Sequence, residues 1–176
     1  IKPDGSAIPG QFQGIVANST TGFSTQGFRF FIRGDDGTIR LETRGPRSGT
    51  AVVQTAAAQI NFDVWNHVAV TVDRSAGTAE IFHNGSSVAT GAVKTDFVNS
   101  SGWEIGGFED RIASFDGEMD EVRISSNVRD ENHILASYMS QLDDSLNTFG
   151  IEEDAGVLAG DGAAPVLISA TTPQSD

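Results

Sequence analysis

Alternation at a period of two residues, broken repeatedly by turn chemistry, constrains this chain more than any other feature. In the segment GFRFFIRGDDGTIRLET, Phe28, Phe30 and Ile32 alternate with Arg29, Phe31 and Arg33, and Ile39 and Leu41 alternate with Arg40 and Glu42. Successive strand side chains point to opposite faces, so each arm has a core face and a partly wetted face. Asp35, Asp36 and Gly37 between the arms are ordinary turn residues. The pattern returns in WNHVAVTVDRSAGTAEIFHNG, where Val68, Val70 and Val72 share one face and Trp65, His67, Ala69 and Thr71 the other. Asn84 and Gly85 predict a type I′ hairpin turn, which needs positive φ at both central residues. His67 and His83 fall at alternating strand positions without a third ligand in an obvious spacing, which favours surface or edge packing over metal binding. Further strands are expected around Ile15 and Val16, around Val52 and Val53, and over 96–105.

Many short strands joined by turns predict an all-β protein, an antiparallel β-sandwich or jelly roll. No internal repeat points to a propeller or solenoid. Helical periodicity occurs once. Asp130 or Asn127 can cap a short amphipathic helix near the C-terminus whose Ile134, Leu135, Tyr138 and Met139 form a single apolar stripe. Residues 1–153 are expected to form one sandwich, with a last strand-like piece at 147–151. Residues 154–176 are expected to be a linker and the possible start of a following module.

Composition narrows the function classes. There is no Cys, which excludes disulfides and thiolate metal sites. Nine of the 24 acidic residues lie in 130–176, which holds no Lys or Arg, so the acidic end is expected to be a solvated tail. The formal net charge of −13 argues against a nucleic-acid groove. No apolar run approaches the length of a membrane span, so membrane insertion is not expected.

WNHVAVTVD, AEIFHNG, EIGGF and FDGEMDEVRIS, followed by a short helix ending in Tyr, resemble the laminin G-like, concanavalin A-type jelly-roll modules of bacterial secreted and surface proteins. The resemblance implies an extracellular or cell-surface setting, in a larger protein with neighbouring domains. It also implies a non-catalytic binding or adhesion role toward glycan or an extracellular protein, and an N-terminally incomplete sandwich, because family members carry strands before the equivalent of Ile1. A structural spacer without ligand is the alternative, and a laminarinase-type glycoside hydrolase a more distant one. Related modules often hold a structural Ca²⁺ at one end of the sandwich.

Glu118, Asp120 and Glu121 can be weighed by strand geometry. A retaining glycosidase needs two carboxyls about 5 Å apart over one cleft. Glu118 and Asp120 would share a face of a regular strand, but Glu121 would point away and Val122 supplies no third carboxylate. Calcium takes carboxylate and carbonyl oxygens in loose geometry, and the acidic set Glu109, Asp110, Asp116, Glu118, Asp120 and Glu121 makes Asp120, then Asp116, the metal candidates. The structural reading is a β-bulge or sharp twist at Asp120 and Glu121, because the apolar positions change parity between Met119 and Val122; Val122 and Ile124 beyond it are expected to be buried. Aromatic platforms for a sugar are sought at Trp65, Trp103 and Phe108, each of which can equally be core.

Overall fold

The computed structural model describes residues 1–5, 12–19, 26–98, 102–108 and 113–142. In chain order the elements are β1 (Lys2–Pro3), β2 (Phe12–Asn18), β3 (Gly27–Arg33), β4 (Ile39–Gly45), β5 (Gly49–Gln54) and β6 (Val68–Asp73). These are followed by β7 (Thr78–His83), β8 (Ser86–Ala92), β9 (Glu104–Ile105), β10 (Gly117–Glu118) and α1 (Glu131–Leu142). The strands form a five-stranded sheet in the order β5-β4-β3-β2-β9, a three-stranded sheet β6-β7-β8 and a small β1-β10 pair, all antiparallel. The two larger sheets face each other as a β-sandwich.

The turns form where their residues allow. Asn84 and Gly85 have φ of 48° and 79°, both positive, as the β7-β8 hairpin demands. In the β3-β4 hairpin the Gly37 N–H bonds to the Arg33 carbonyl at 2.9 Å and the Arg33 N–H to the Thr38 carbonyl at 2.9 Å. Phe30 faces Leu41 and Ile32 faces Ile39 across this pair, so the apolar alternation of both arms lands on one face. Those residues join Ile15, Val53, Ala79 and Ile81 in the main core, which is therefore built from both sheets. β2 is bulged between Gly14 and Val16. At the β5/β8 side the sheets close tightly, since a Cβ on Gly91 would stand 3.0 Å from Val53 Cγ2. At the β6 side they stay apart around a cavity of about 760 Å³.

α1 begins as predicted. Asp130 accepts the His133 N–H at 2.8 Å, an N-cap bond, and Ile134 is buried. The helix rests on the β7-β8 turn: a Cβ on Gly85 would meet Leu135 Cδ1 at 2.8 Å and Tyr138 Cδ1 at 2.9 Å. Leu135 and Met139 are exposed, so only part of the predicted apolar stripe is covered among the described residues.

Two expectations change. The strand expected through 115–124 is paired only at Gly117 and Glu118, and Val122 and Ile124 are 41% and 57% exposed rather than buried. The cause lies at the residue where the parity switched. Glu121 has φ of 54°, left-handed for a non-glycine residue, and its N–H is held at 2.8 Å by the Asp120 side chain. The predicted twist is therefore present, but it turns the chain along the cavity instead of into a sheet. Likewise, within 96–105 only Glu104 and Ile105 are in a strand among the described residues. The piece at 147–151, and 154–176, lie outside the described residues.

Candidate functional site

The residues singled out in the sequence are scattered. Trp65 is 52% exposed, in the connection between β5 and β6. Trp103 is 48% exposed and packs edge-on against Phe28 at 5.3 Å, and Phe28 in turn meets Phe97 at 6.3 Å. Phe108 is 1% exposed, its ring held between Phe31 at 5.4 Å and the Arg29 guanidinium at 4.9 Å, so no face of it is left for solvent. Asp116 lines a small cleft with Asp4, Asp63 and Glu118, whereas Asp120 lines the large inter-sheet cavity. Among the described residues no three carboxylate or imidazole side chains converge on a metal position. Glu109 and Asp110 lie outside the described residues. Glu118 is bound to Lys2 at 2.7 Å in the small cleft, while Asp120 and Glu121 line the cavity. The strand whose parity would have paired Glu118 with Asp120 ends at Glu118.

A denser constellation lies on the outer face of the five-stranded sheet, away from the core. Here the outward positions of the β3-β4 hairpin put Arg29, Phe31 and Arg33 beside Glu42, Arg40 and the turn: Arg29 is opposite Glu42, and Phe31 is opposite Arg40. β5 adds Gln54 opposite Arg40, Val52 opposite Glu42 and Thr50 opposite Arg44. β2 adds Phe12 opposite Arg33 and Gly14 opposite Phe31. Five of the eleven basic residues of an acidic chain fall between positions 29 and 47.

The two halves of this face differ. Over β2 and β3 it is roofed by the chain around Phe108 and Ala113, because Gly14 leaves room: its N–H bonds to the Ala113 carbonyl at 2.9 Å, and a Cβ there would stand 2.7 Å from the Phe108 ring. Phe31, Phe108, Ala17 and Ala113 form a second, smaller core under this roof. Burying a ring such as Phe31 contributes about 2 to 3 kcal/mol. Over β4 and β5 the face is more open among the described residues: Val52 and Phe12 are exposed at its floor and flank, while the Arg40 and Glu42 side chains are partly covered. Phe12 packs tilted against Phe31, ring centroids 5.0 Å apart, and the Arg40 guanidinium lies 5.9 Å over that same ring. Arg40 Nη2 is 2.8 Å from Glu42 Oε1, while its Nε is buried without a partner among the described residues. Arg44 reaches Thr50 Oγ1 at 3.5 Å, and Arg33 is tied to Asp35 at 3.1 Å and Asp36 at 3.5 Å.

Rigid planar donors and acceptors on a pleated surface, beside apolar patches, can grip a polar ligand with several hydroxyls. The guanidinium of Arg40, fixed by Glu42 and the Phe31 ring, presents its remaining donors in a fixed fork that suits a carboxylate or a vicinal diol. The signal in the sequence was the arginines at alternating positions of one hairpin. A search for aromatic platforms passes over it.

Comparison with protein-family models matches residues 1–135 to the concanavalin A-like lectin/glucanases superfamily. A search of curated proteins finds no match. Among solved structures, the chain is similar to the CBM40 module of the Ruminococcus gnavus IT-sialidase bound to α2,3-sialyllactose, at 20% identity and TM-score 0.63, over 78% of each chain. It is similar to the leech intramolecular trans-sialidase, at 18% identity and TM-score 0.61, over 78% of this chain and 22% of that one. It also resembles the native heptameric SAP-like pentraxin of Limulus polyphemus, at 18% identity and TM-score 0.54, over 78% of this chain and 66% of that one. The model match spans most of the sandwich, and the fold of two facing antiparallel sheets agrees with it: the chain belongs to the concanavalin A-like lectin/glucanase superfamily.

Proposed function

We propose that this chain is a non-catalytic glycan-binding module of an extracellular protein, and that it takes an acidic oligosaccharide on the open half of the outer sheet face. The observation that carries the reading is the pair Gln54 and Arg40 across two adjacent strands, with the Arg40 guanidinium pinned over the buried Phe31 ring and an exposed Val52 and Phe12 beside it. Together with Glu42 and Val52 it offers one cationic fork, amide and carboxylate hydrogen-bonding groups, and apolar surface for the C–H side of a sugar ring. The similar sialidase module, solved with α2,3-sialyllactose, supports an acidic glycan as the first ligand to try. Catalysis forms no part of the reading, since Glu118 faces a different cleft from Asp120 and Glu121.

The test is calorimetric titration of the protein with 3′-sialyllactose and with lactose. The expected result is binding of the acidic sugar with little binding of the neutral one, and a loss of about ten-fold in affinity, about 1.4 kcal/mol, in Arg40→Ala with the circular dichroism spectrum unchanged. Absence of binding to any glycan tried would favour a spacer role. Binding that survives Arg40→Ala but is lost in Trp103→Ala would move the site to the aromatic group around Phe28.

A further inference from the structure

The flank of the sandwich built by β5 and β8 is free of charge. Residues 48–62 and 84–93 contain no Asp, Glu, Lys or Arg, in a chain of net charge −13. β5 ends the five-stranded sheet and β8 the three-stranded one, and the two lie over each other, since a Cβ on Gly91 would stand 3.0 Å from Val53 Cγ2. The bonds between Ile1 and Asn66 lie at the start of β6, the opposite edge of the three-stranded sheet. This flank is therefore the one away from the N-terminal residues.

An unpaired row of N–H and C=O groups recruits another strand, so edges are ordinarily blunted by charge, proline or a bulge. β8 is blunted: its register against β7 shifts between Ile81 and Phe82, with Val88 as the extra residue. β5 is not. Its pairing with β4 runs without a shift from Gln54 to Gly49, and it holds neither charge nor proline. Thr55 fixes which backbone groups lie on the free edge. Its N–H bonds to the Ile39 carbonyl at 3.0 Å, toward β4. By the two-residue period Val53 and Ala51 also turn to β4, and Gln54, Val52 and Thr50 turn away from it. Among the described residues no backbone partner reaches those three positions from outside the sheet, and their side chains are exposed.

The edge is complementary to itself. With two copies antiparallel about an axis at Val52, Val52 faces Val52 of the copy, and Thr50 faces Gln54 of the copy on either side. Each pair exchanges both of its N–H···O bonds, with an apolar contact at the centre and hydroxyl-to-amide contacts flanking it. The nearest charged side chains in the plane of the sheet are Arg40, Glu42 and Arg44 on β4. Across the joint they stand three strand spacings from their counterparts, about 14 Å, beyond the Debye length of about 8 Å at physiological salt. The net charge disfavours contact between two copies over acidic surface, and here they meet none.

We infer that β5 is a self-association edge: two copies of this chain join β5 to β5, antiparallel and centred on Val52, into one continuous sheet. The joint lies in the plane of the sheet and leaves the outer face uncovered. It does not rest on the glycan reading, and either can fail alone.

The test is sedimentation velocity of the full chain from about 1 µM to about 300 µM, with amide hydrogen exchange followed by NMR at both ends of the series. The expected result is a dimer that grows with concentration. Exchange at Thr50, Val52 and Gln54 should slow by about ten-fold or more at the concentrated end, with Ala51 and Val53 unchanged, because only the edge-facing amides gain partners. Val52→Lys sets two ammonium groups face to face and should stay monomeric throughout with an unchanged circular dichroism spectrum, whereas Val52→Thr should still dimerise. If Val52→Lys loses its fold, the exchange pattern of the parent decides alone. A parent that stays monomeric overturns the proposal, as does a dimer that persists in folded Val52→Lys. Protection of the three edge amides already at the dilute end also overturns it, since the chain would then cover its own edge.

Discussion

Asn66 uses both ends of its side chain to hold one loop. Its Nδ2 donates to the Asn61 carbonyl at 2.7 Å and the Val64 carbonyl at 2.8 Å, which leaves Oδ1 to accept the Asn61 N–H at 3.1 Å. That orientation fixes its neighbour. His83 Nε2, 2.9 Å from Asn66 Oδ1, must be the donor, and His83 Nδ1 then accepts from Gln59 Nε2 at 3.0 Å. Asn66→Ala removes several buried partners together and should cost about 3 kcal/mol in urea denaturation. A loss below about 1 kcal/mol would mean that water replaces the network. Burial lowers the His83 pKa below its ordinary value, and also lowers that of His67, whose Nδ1 is buried without a partner among the described residues. A histidine that resists protonation when folded binds fewer protons than the unfolded chain, so stability is full above about pH 6.5 and falls as pH drops below it. The measurement is the slope of unfolding free energy between pH 7 and 5.5, which should be shallower in His83→Gln than in the parent; equal slopes would contradict the assignment. The sequence placed both histidines on alternate strand positions but gave no sign of this network, because Gln59 and Asn66 reach His83 only after the loop has folded back on β7.

At the scale of elements, what was local in the sequence was legible. The β3-β4 arms, the Asn84-Gly85 turn and the Asp130 cap each depend on residues within a few positions, and each forms where its chemistry predicts. Asp130→Ala should cost about 1 kcal/mol by removing the bond to the His133 N–H, read as a lowered melting temperature. Gly85→Ala should do more than cap loss does, because it strains a residue at φ 79° and drives a methyl into Leu135 and Tyr138. Loss of α1 docking is the expected signature, visible as greater solvent quenching of Tyr138; an unchanged tyrosine environment would show that the helix is not held by this turn. The 117–125 segment was not legible in the same way. Its alternation fits a strand, but a strand needs a neighbour. Among the described residues only Lys2 and Pro3 pair with it as a strand, and the backbone turns left-handed at Glu121. The exposed Glu121-Arg123 pair at 2.5 Å adds little, as expected for solvated charges.

For the whole molecule, sequence alternation specified which face of each strand is core, and therefore also which residues remain outside. That second consequence holds the candidate site. Arg33, Arg40 and Arg44 are partly exposed outward positions of one hairpin, Arg29 being buried beside Phe108, and register brings Phe12, Val52 and Gln54 beside them from β2 and β5. No short motif contains these residues, since strand pairing assembles them from separate segments. The prominent tryptophans, by contrast, stand apart from this face: Trp103 packs beside Phe28 at the inter-sheet cavity and Trp65 sits in a loop. The most direct measurement of the central claim is an NMR titration of the labelled protein with 3′-sialyllactose, following backbone amides together with arginine Nε and glutamine side-chain signals. The account predicts saturable shifts centred on Arg40, Glu42, Val52 and Gln54, with Trp65 and Trp103 indole signals unmoved. Shifts confined to the tryptophans, or none at saturating sugar, would contradict it.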